Sequence, residues 1–146
     1  MIRPILFSML LAGAAAFAVP APTPPHEMVV YKSPYCGCCA KWVDHVRAAG
    51  IRVTVIDTAD LEPIKARHGV TGELGSCHTA LVDGFVIEGH VPADLVLKLV
   101  TERPALRGLA VPGMVSGSPG MEGPNPQHYA VLSFDRSGKT AVYARR

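Results

Sequence analysis

The chain of 146 residues carries 14 Lys and Arg against 12 Asp and Glu, a formal charge of +2, and four cysteines. Near-balanced charge, with basic residues scattered and Arg145-Arg146 their only adjacent pair, excludes a nucleic-acid surface. One domain fits the length, and a domain of that size builds its apolar core without obligatory disulfides, which leaves the cysteines for other work.

In chain order, Arg3 gives a short positive start, Ile5 to Phe17 is an apolar run, and Ala16-Phe17-Ala18 has the small-residue pattern of a cleavage site. Residues 1–18 therefore read as a cleaved signal peptide, so the mature protein is exported and keeps no membrane span; an uncleaved anchor would need about 20 apolar residues. Residues 19–27 hold Pro20-Ala21-Pro22-Thr23-Pro24-Pro25, a stiff extended leader. Residues 28–146 are then one domain, with a C-terminal extension from about residue 103.

Met28 to Lys32 reads as a short buried strand, broken at Ser33-Pro34. From Cys38 to Ala49, Trp42, Val43 and Val46 recur at helical spacing, and Gly50 is a natural stop. Ile51 to Ile56 is a second strand, and Leu61 to His68 a short helix with Pro63 in its first turn. Thr79 to Val82 and Phe85 to Glu88 flank Asp83-Gly84, a two-residue hairpin signal. Pro92 to Thr101 is a third helix with Leu95, Leu99 and Val100 on one side. Tyr129 to Phe134 and Thr140 to Ala144 bracket Asp135-Arg136-Ser137-Gly138, a second hairpin expected outside the core built by the earlier elements.

Cys36-Gly37-Cys38-Cys39 puts three of the four cysteines in the turn between the first strand and first helix. A thiol at a helix amino end meets free N–H groups and the positive end of the macrodipole, which favours the thiolate, a nucleophile and a soft metal ligand. Thiolates select Cu(I), zinc or iron–sulfur centres, and thioether sulfur discriminates toward Cu(I). Two of the methionines beyond the leader, Met114 and Met121, lie in a loop too rich in Gly and Pro for a core element, Pro112 to Met121.

The strand, cysteine turn and helix resemble the thioredoxin fold over about residues 28–102, with Cys36 and Cys39 as its CxxC pair. The resemblance implies an α/β fold, a thioredoxin-like mixed sheet with flanking helices, followed by the C-terminal Gly/Pro/Met loop and β-hairpin. Ordinary thioredoxins have proline where Cys38 stands and a cis-proline where Ser76-Cys77-His78-Thr79 stands. By this alignment Cys77 faces the other three cysteines. Tyr35 with Cys36-Gly37-Cys38-Cys39, then Ser76-Cys77-His78-Thr79-Ala80, then Gly117-Ser118-Pro119-Gly120-Met121-Glu122 resemble a family of small bacterial periplasmic proteins, the CopG-like copper-resistance family. That family often has proline after the first loop methionine, where this chain has Val115.

The resemblance implies periplasmic copper binding that contributes to copper resistance, open to redox coupling between copper and thiols, with Cys36, Cys38, Cys39 and Cys77 as ligands, Met114 and Met121 completing a Cu(I) site or a small copper–thiolate cluster, and His78 ligating or holding Cys77. Adjacent Cys38 and Cys39 do not easily reach one tetrahedral ion, which favours a multinuclear site. Copper ions, and other periplasmic copper-handling proteins, are the implied partners. The alternative is a thiol–disulfide oxidoreductase in which Cys36 attacks and Cys39 resolves.

Plainer readings stand beside these. Four cysteines in an exported chain can form two disulfides, although only Cys77 is far enough away to close a long loop. Structural zinc usually takes two separated cysteine pairs, and this chain has three plus one. Thioethers also fill packing gaps. His45 and His68 read as structural, Trp42 as core, and His26, His90 and His128 as residues near segment ends that could touch metal, although surface histidines outnumber ligands. Asp57 and Asp60 flank a helix start as caps, and no hydrolase or kinase motif is present.

Overall fold

The computed structural model describes residues 24–146; the expected signal peptide and residues 19–23 of the leader lie outside the described residues. Strands β1 (Glu27–Lys32), β2 (Arg52–Asp57), β3 (His78–Val82), β4 (Phe85–Glu88), β5 (Gly108–Ala110), β6 (Ala130–Phe134) and β7 (Thr140–Arg145) form one sheet in the order β2-β1-β3-β4-β5-β6-β7. The pairs β1/β2 and β4/β5 are parallel and the remaining four antiparallel. Helices α1 (Gly37–Ala48), α2 (Glu62–Arg67) and α3 (Ala93–Glu102) flank the sheet. This is the mixed α/β sheet expected from the sequence. No helix among the described residues is long and apolar enough to cross a membrane.

The elements form where the local chemistry asks for them. Gly50 ends α1 at φ 89°, and Asp83-Gly84 turns β3 into β4 with both residues at positive φ, the conformation a two-residue hairpin requires. Pro63 sits in the first turn of α2, where the Asp60 carboxylate accepts from the Glu62 N–H. Asp57 is used differently, pairing at 3.1 Å with the buried Lys32.

Alternating residues send two sets of apolar side chains to the two faces of the sheet. Met28, Val30, Ala80, Val82, Ile87, Leu109 and Val131 meet Trp42, Val43 and Val46 of α1 and Leu95, Val96 and Leu99 of α3. Trp42 is fully buried, with its indole N–H donated to the Val91 carbonyl at 2.8 Å, so the core reading of this residue holds. Val70 and Leu74 cover the opposite face over Val86, Ala110 and Phe134.

One expectation is corrected. The hairpin β6/β7 does not stand apart from the core. Strand β5, which carries no alternating signal in its three residues, pairs with β4 on one side and β6 on the other and joins the hairpin to the same sheet. Val131 and Phe134 are fully buried as a result. A single 3₁₀ turn at Gly72–Leu74 was also not foreseen.

Candidate metal centre

The cysteine turn follows from the end of β1. Cys36 is the N-cap of α1 in extended conformation, and Cys38 and Cys39 lie in the first helical turn. The Cys77 residue precedes β3, which is hydrogen-bonded next to β1 in the sheet. The topology therefore brings Cys77 to the amino end of α1. The Cys39 and Cys77 sulfurs are 3.3 Å apart, and those of Cys36 and Cys38 3.4 Å. Cys36 and Cys39 are joined as a disulfide, while Cys38 and Cys77 are free thiols. Cys39 is buried, and the other three are partly accessible.

Two histidines complete the cluster. The register Thr79↔Glu88 of the β3/β4 hairpin, carried two residues further, sets Cys77 opposite His90. His90 Nε2 is 2.9 Å from Cys77 Sγ, and its Nδ1 is 2.7 Å from the Pro119 carbonyl oxygen. A carbonyl only accepts, so Nδ1 carries the proton and the Nε2 lone pair faces the cysteine. A ligating imidazole is commonly oriented in this way. His78 is fully buried between Trp42 and His90, its Nδ1 3.5 Å from Cys77 Sγ and its Nε2 without a hydrogen-bond partner. Burial holds both imidazoles below their ordinary pKa, His78 well below, so both are neutral donors. Burial, and then the neighbouring Cys38, push the Cys77 thiol up to about 11.

The donors form two overlapping groups, each within 4.8 Å: Cys36, Cys38, Cys39 and Cys77, and Cys39, Cys77, His78 and His90. Sulfur with neutral imidazole suits a soft or borderline ion. Of the two readings open for His90, its full burial beside Cys77 overturns the surface one. Its burial is not visible locally, but the Asp83-Gly84 hairpin, counted outward, would have found it opposite Cys77. His26 pairs instead with Asp83, and His45 Nε2 accepts from the Ala93 N–H at 3.0 Å, at the start of α3.

The glycine- and proline-rich loop closes over this centre. Gly120 lies at φ 84°, and a Cβ there would come 2.7 Å from the Cys38 carbonyl oxygen and 2.9 Å from the Trp42 nitrogen, so only glycine lets the loop approach α1 this closely. Pro119, which orients His90, and half-buried Met121 flank it. Met114 is 55% exposed, one residue beyond the Gly113 carbonyl that accepts from Ser76. The loop thus sets the backbone beside Met121 against α1 and the backbone beside Met114 against Ser76.

Beneath Cys77 lies a charged network the sequence reading did not identify. The fully buried Glu88 carboxylate accepts from Lys65, from the Ser76 N–H at 2.7 Å and from the Thr79 hydroxyl at 2.6 Å. Its sequence signal was a lone acid ending the apolar run Phe85 to Ile87. Burial raises the Glu88 carboxyl pKa, and the three donors oppose the shift.

Comparison with known proteins gives a consistent result. Residues 74–121 match a family described as a protein of unknown function, DUF411. Two solved structures of the copper resistance protein CopG, forms 1 and 2, are 46% identical to this chain with a TM-score of 0.80. Each covers 84% of this chain, and the alignment spans 99% of the form 2 chain and 98% of the form 1 chain. No curated protein matches.

Proposed function

The chain belongs to the family of the copper resistance protein CopG, and from that premise we propose that it is an exported, periplasmic protein that binds Cu(I) and contributes to copper resistance. The observation that carries the reading is the pair of overlapping donor groups sharing Cys39 and Cys77. Two ion positions with common sulfurs describe a thiolate-bridged, multinuclear site, and bridging relaxes the geometry that adjacent Cys38 and Cys39 would deny to one tetrahedral ion.

In this reading copper is cargo and substrate. Cys36, Cys38, Cys39 and Cys77 supply thiolates, His90 Nε2 and His78 imidazole nitrogen, and Met114 and Met121 thioether sulfur from the loop. The ordered groups around the site have separate tasks: Pro119 fixes the His90 tautomer, Glu88 holds the Ser76 N–H and so the approach to Cys77, and Trp42 backs His78.

The Cys36–Cys39 disulfide adds a redox step. Loading with all four thiolates requires two electrons, which open that bond to two thiolates. In the opposite direction, the Cys36/Cys39 dithiol passes one electron to each of two Cu(II) ions, giving two Cu(I), the disulfide and two protons. The same bond is what favours the second reading, a thiol–disulfide oxidoreductase working through Cys36 and Cys39.

The test is an anaerobic Cu(I) titration of the reduced protein against a chromophoric chelator, with metal content and free thiols counted on protein taken from a copper-supplied periplasm. Copper at one or more equivalents with protected thiols is expected. Cys38→Ser should weaken Cu(I) binding by at least about tenfold, which is 1.4 kcal/mol, with the fold intact. Unchanged affinity in Cys38→Ser would defeat the copper-site reading, and a metal-free protein with the Cys36–Cys39 bond would favour the oxidoreductase.

A further inference from the structure

The two free thiols each touch a different end of the disulfide. Cys77 Sγ lies 3.3 Å from Cys39 Sγ, and Cys38 Sγ lies 3.4 Å from Cys36 Sγ. Cys39 is the buried sulfur, in contact with both its present partner and Cys77. We propose that the cluster performs an internal thiol–disulfide exchange, moving its disulfide from Cys36–Cys39 to Cys39–Cys77.

The step is an isomerisation. The Cys77 thiol faces the free lone pair of His90 Nε2, 2.9 Å away, and gives up its proton to the buffer. The Cys77 sulfur bonds to Cys39 as the Cys36–Cys39 bond breaks. Its electron pair leaves on Cys36, which takes up a proton from the buffer. One disulfide and two thiols stand on each side, and nothing is oxidised or reduced. Attack by Cys38 on Cys36 would close a strained ring across the single residue Gly37, whereas Cys39–Cys77 links two separate segments.

The exchange changes which thiols the protein offers. With Cys36–Cys39 closed, the free pair is Cys38 and Cys77, the latter beside His90. With Cys39–Cys77 closed, it is Cys36 and Cys38, on either side of the exposed Gly37 and next to Tyr35, which is 95% exposed. The same oxidation level therefore has an inward-facing and an outward-facing form. The exchange needs no metal and does not rest on the copper reading.

The experiment uses the metal-free mature chain, oxidised by two electrons, equilibrated in glutathione buffer, acid-quenched, alkylated and digested with trypsin. The original bond stays within the peptide Ser33–Lys41, whereas the exchanged bond joins it to the peptide His68–Lys98. Fragmentation, and a parallel digest of Cys38→Ser, assign the link to Cys39. The joined peptides should make up about a tenth or more of the oxidised protein, since the two isomers differ only in which internal pair is closed. Cys36→Ser should form Cys39–Cys77 under the same conditions. Absence of joined peptides in the wild-type chain, together with Cys39 and Cys77 both remaining alkylatable in Cys36→Ser, would overturn the proposal.

Discussion

Replacing Glu88 by leucine removes the carboxylate that Lys65, Ser76 and Thr79 all address while keeping the side-chain volume similar. Lys65 is itself buried, so the substitution leaves an ammonium group without a counter-charge in an apolar setting, together with a stranded N–H at Ser76. Breaking a buried ion pair from one side costs about 3–5 kcal/mol. For a domain of this size that corresponds to a fall in Tm of roughly 10–20 °C. The assay is thermal and urea unfolding of the metal-free protein followed by circular dichroism. Adding Lys65→Met removes the orphaned charge, and the double variant should recover at least about half of the loss, because an apolar pair of matching volume can replace a buried ion pair at little cost. A Glu88→Leu protein within about 1 kcal/mol of wild type, the cost of an ordinary substitution, would refute the argument. So would a double variant no more stable than the single one. Cu(I) affinity should fall in Glu88→Leu as the Ser76-Cys77 segment loses its anchor.

Gly120→Ala should lower both stability and Cu(I) affinity: the left-handed backbone costs an alanine about 1–2 kcal/mol, and its Cβ meets the Cys38 carbonyl at 2.7 Å. Melting and chelator competition check it, and a protein unchanged in both would show that the loop does not need its close seat on α1. Met114→Leu with Met121→Leu preserves volume, so the melting temperature should hold while Cu(I) affinity drops several-fold; equal affinity would remove the thioethers from the site. Asp135 accepts from the Ser137 hydroxyl and N–H and the Lys139 N–H, contacts that hold its carboxyl pKa below the ordinary 3.8. The stability gap between wild type and Asp135→Ala should be full above pH 3.8 and close as the pH falls through the lower folded value. A gap independent of pH would mean that the carboxylate charge is not what holds the turn.

Much of the fold was legible because its punctuation is local. Gly50, Pro63 and Asp83-Gly84 each require a particular backbone shape, and the structure has that shape at each. Strand β5 was not legible, because its three residues owe their conformation to β4 and β6 on either side. At the centre, the cysteine turn announced itself through sulfur content and spacing. His90 and Glu88 did not, since each acquires its role by facing residues from Lys65 to Pro119 that are distant in the chain. Burial, which turns a common surface histidine into a donor with a fixed tautomer, is a property of the assembled sheet.

Residues 111–129 leave the sheet at β5 and return to it at β6, and these two strands are neighbours, with Ala110 opposite Leu132. The loop that carries Pro119 and Gly120 is thus closed at its base only when the last hairpin has docked. A chain growing from its amino end completes the cysteine turn, Cys77 and His90 well before that base exists. Without the loop, His90 has no Pro119 carbonyl to choose its tautomer and the start of α1 lacks the cover of Gly120. The environment of His90 and of the start of α1 is therefore completed by residues made after both. The C-terminal third of the chain, although distant from the cysteine turn in sequence, is what closes the loop over it.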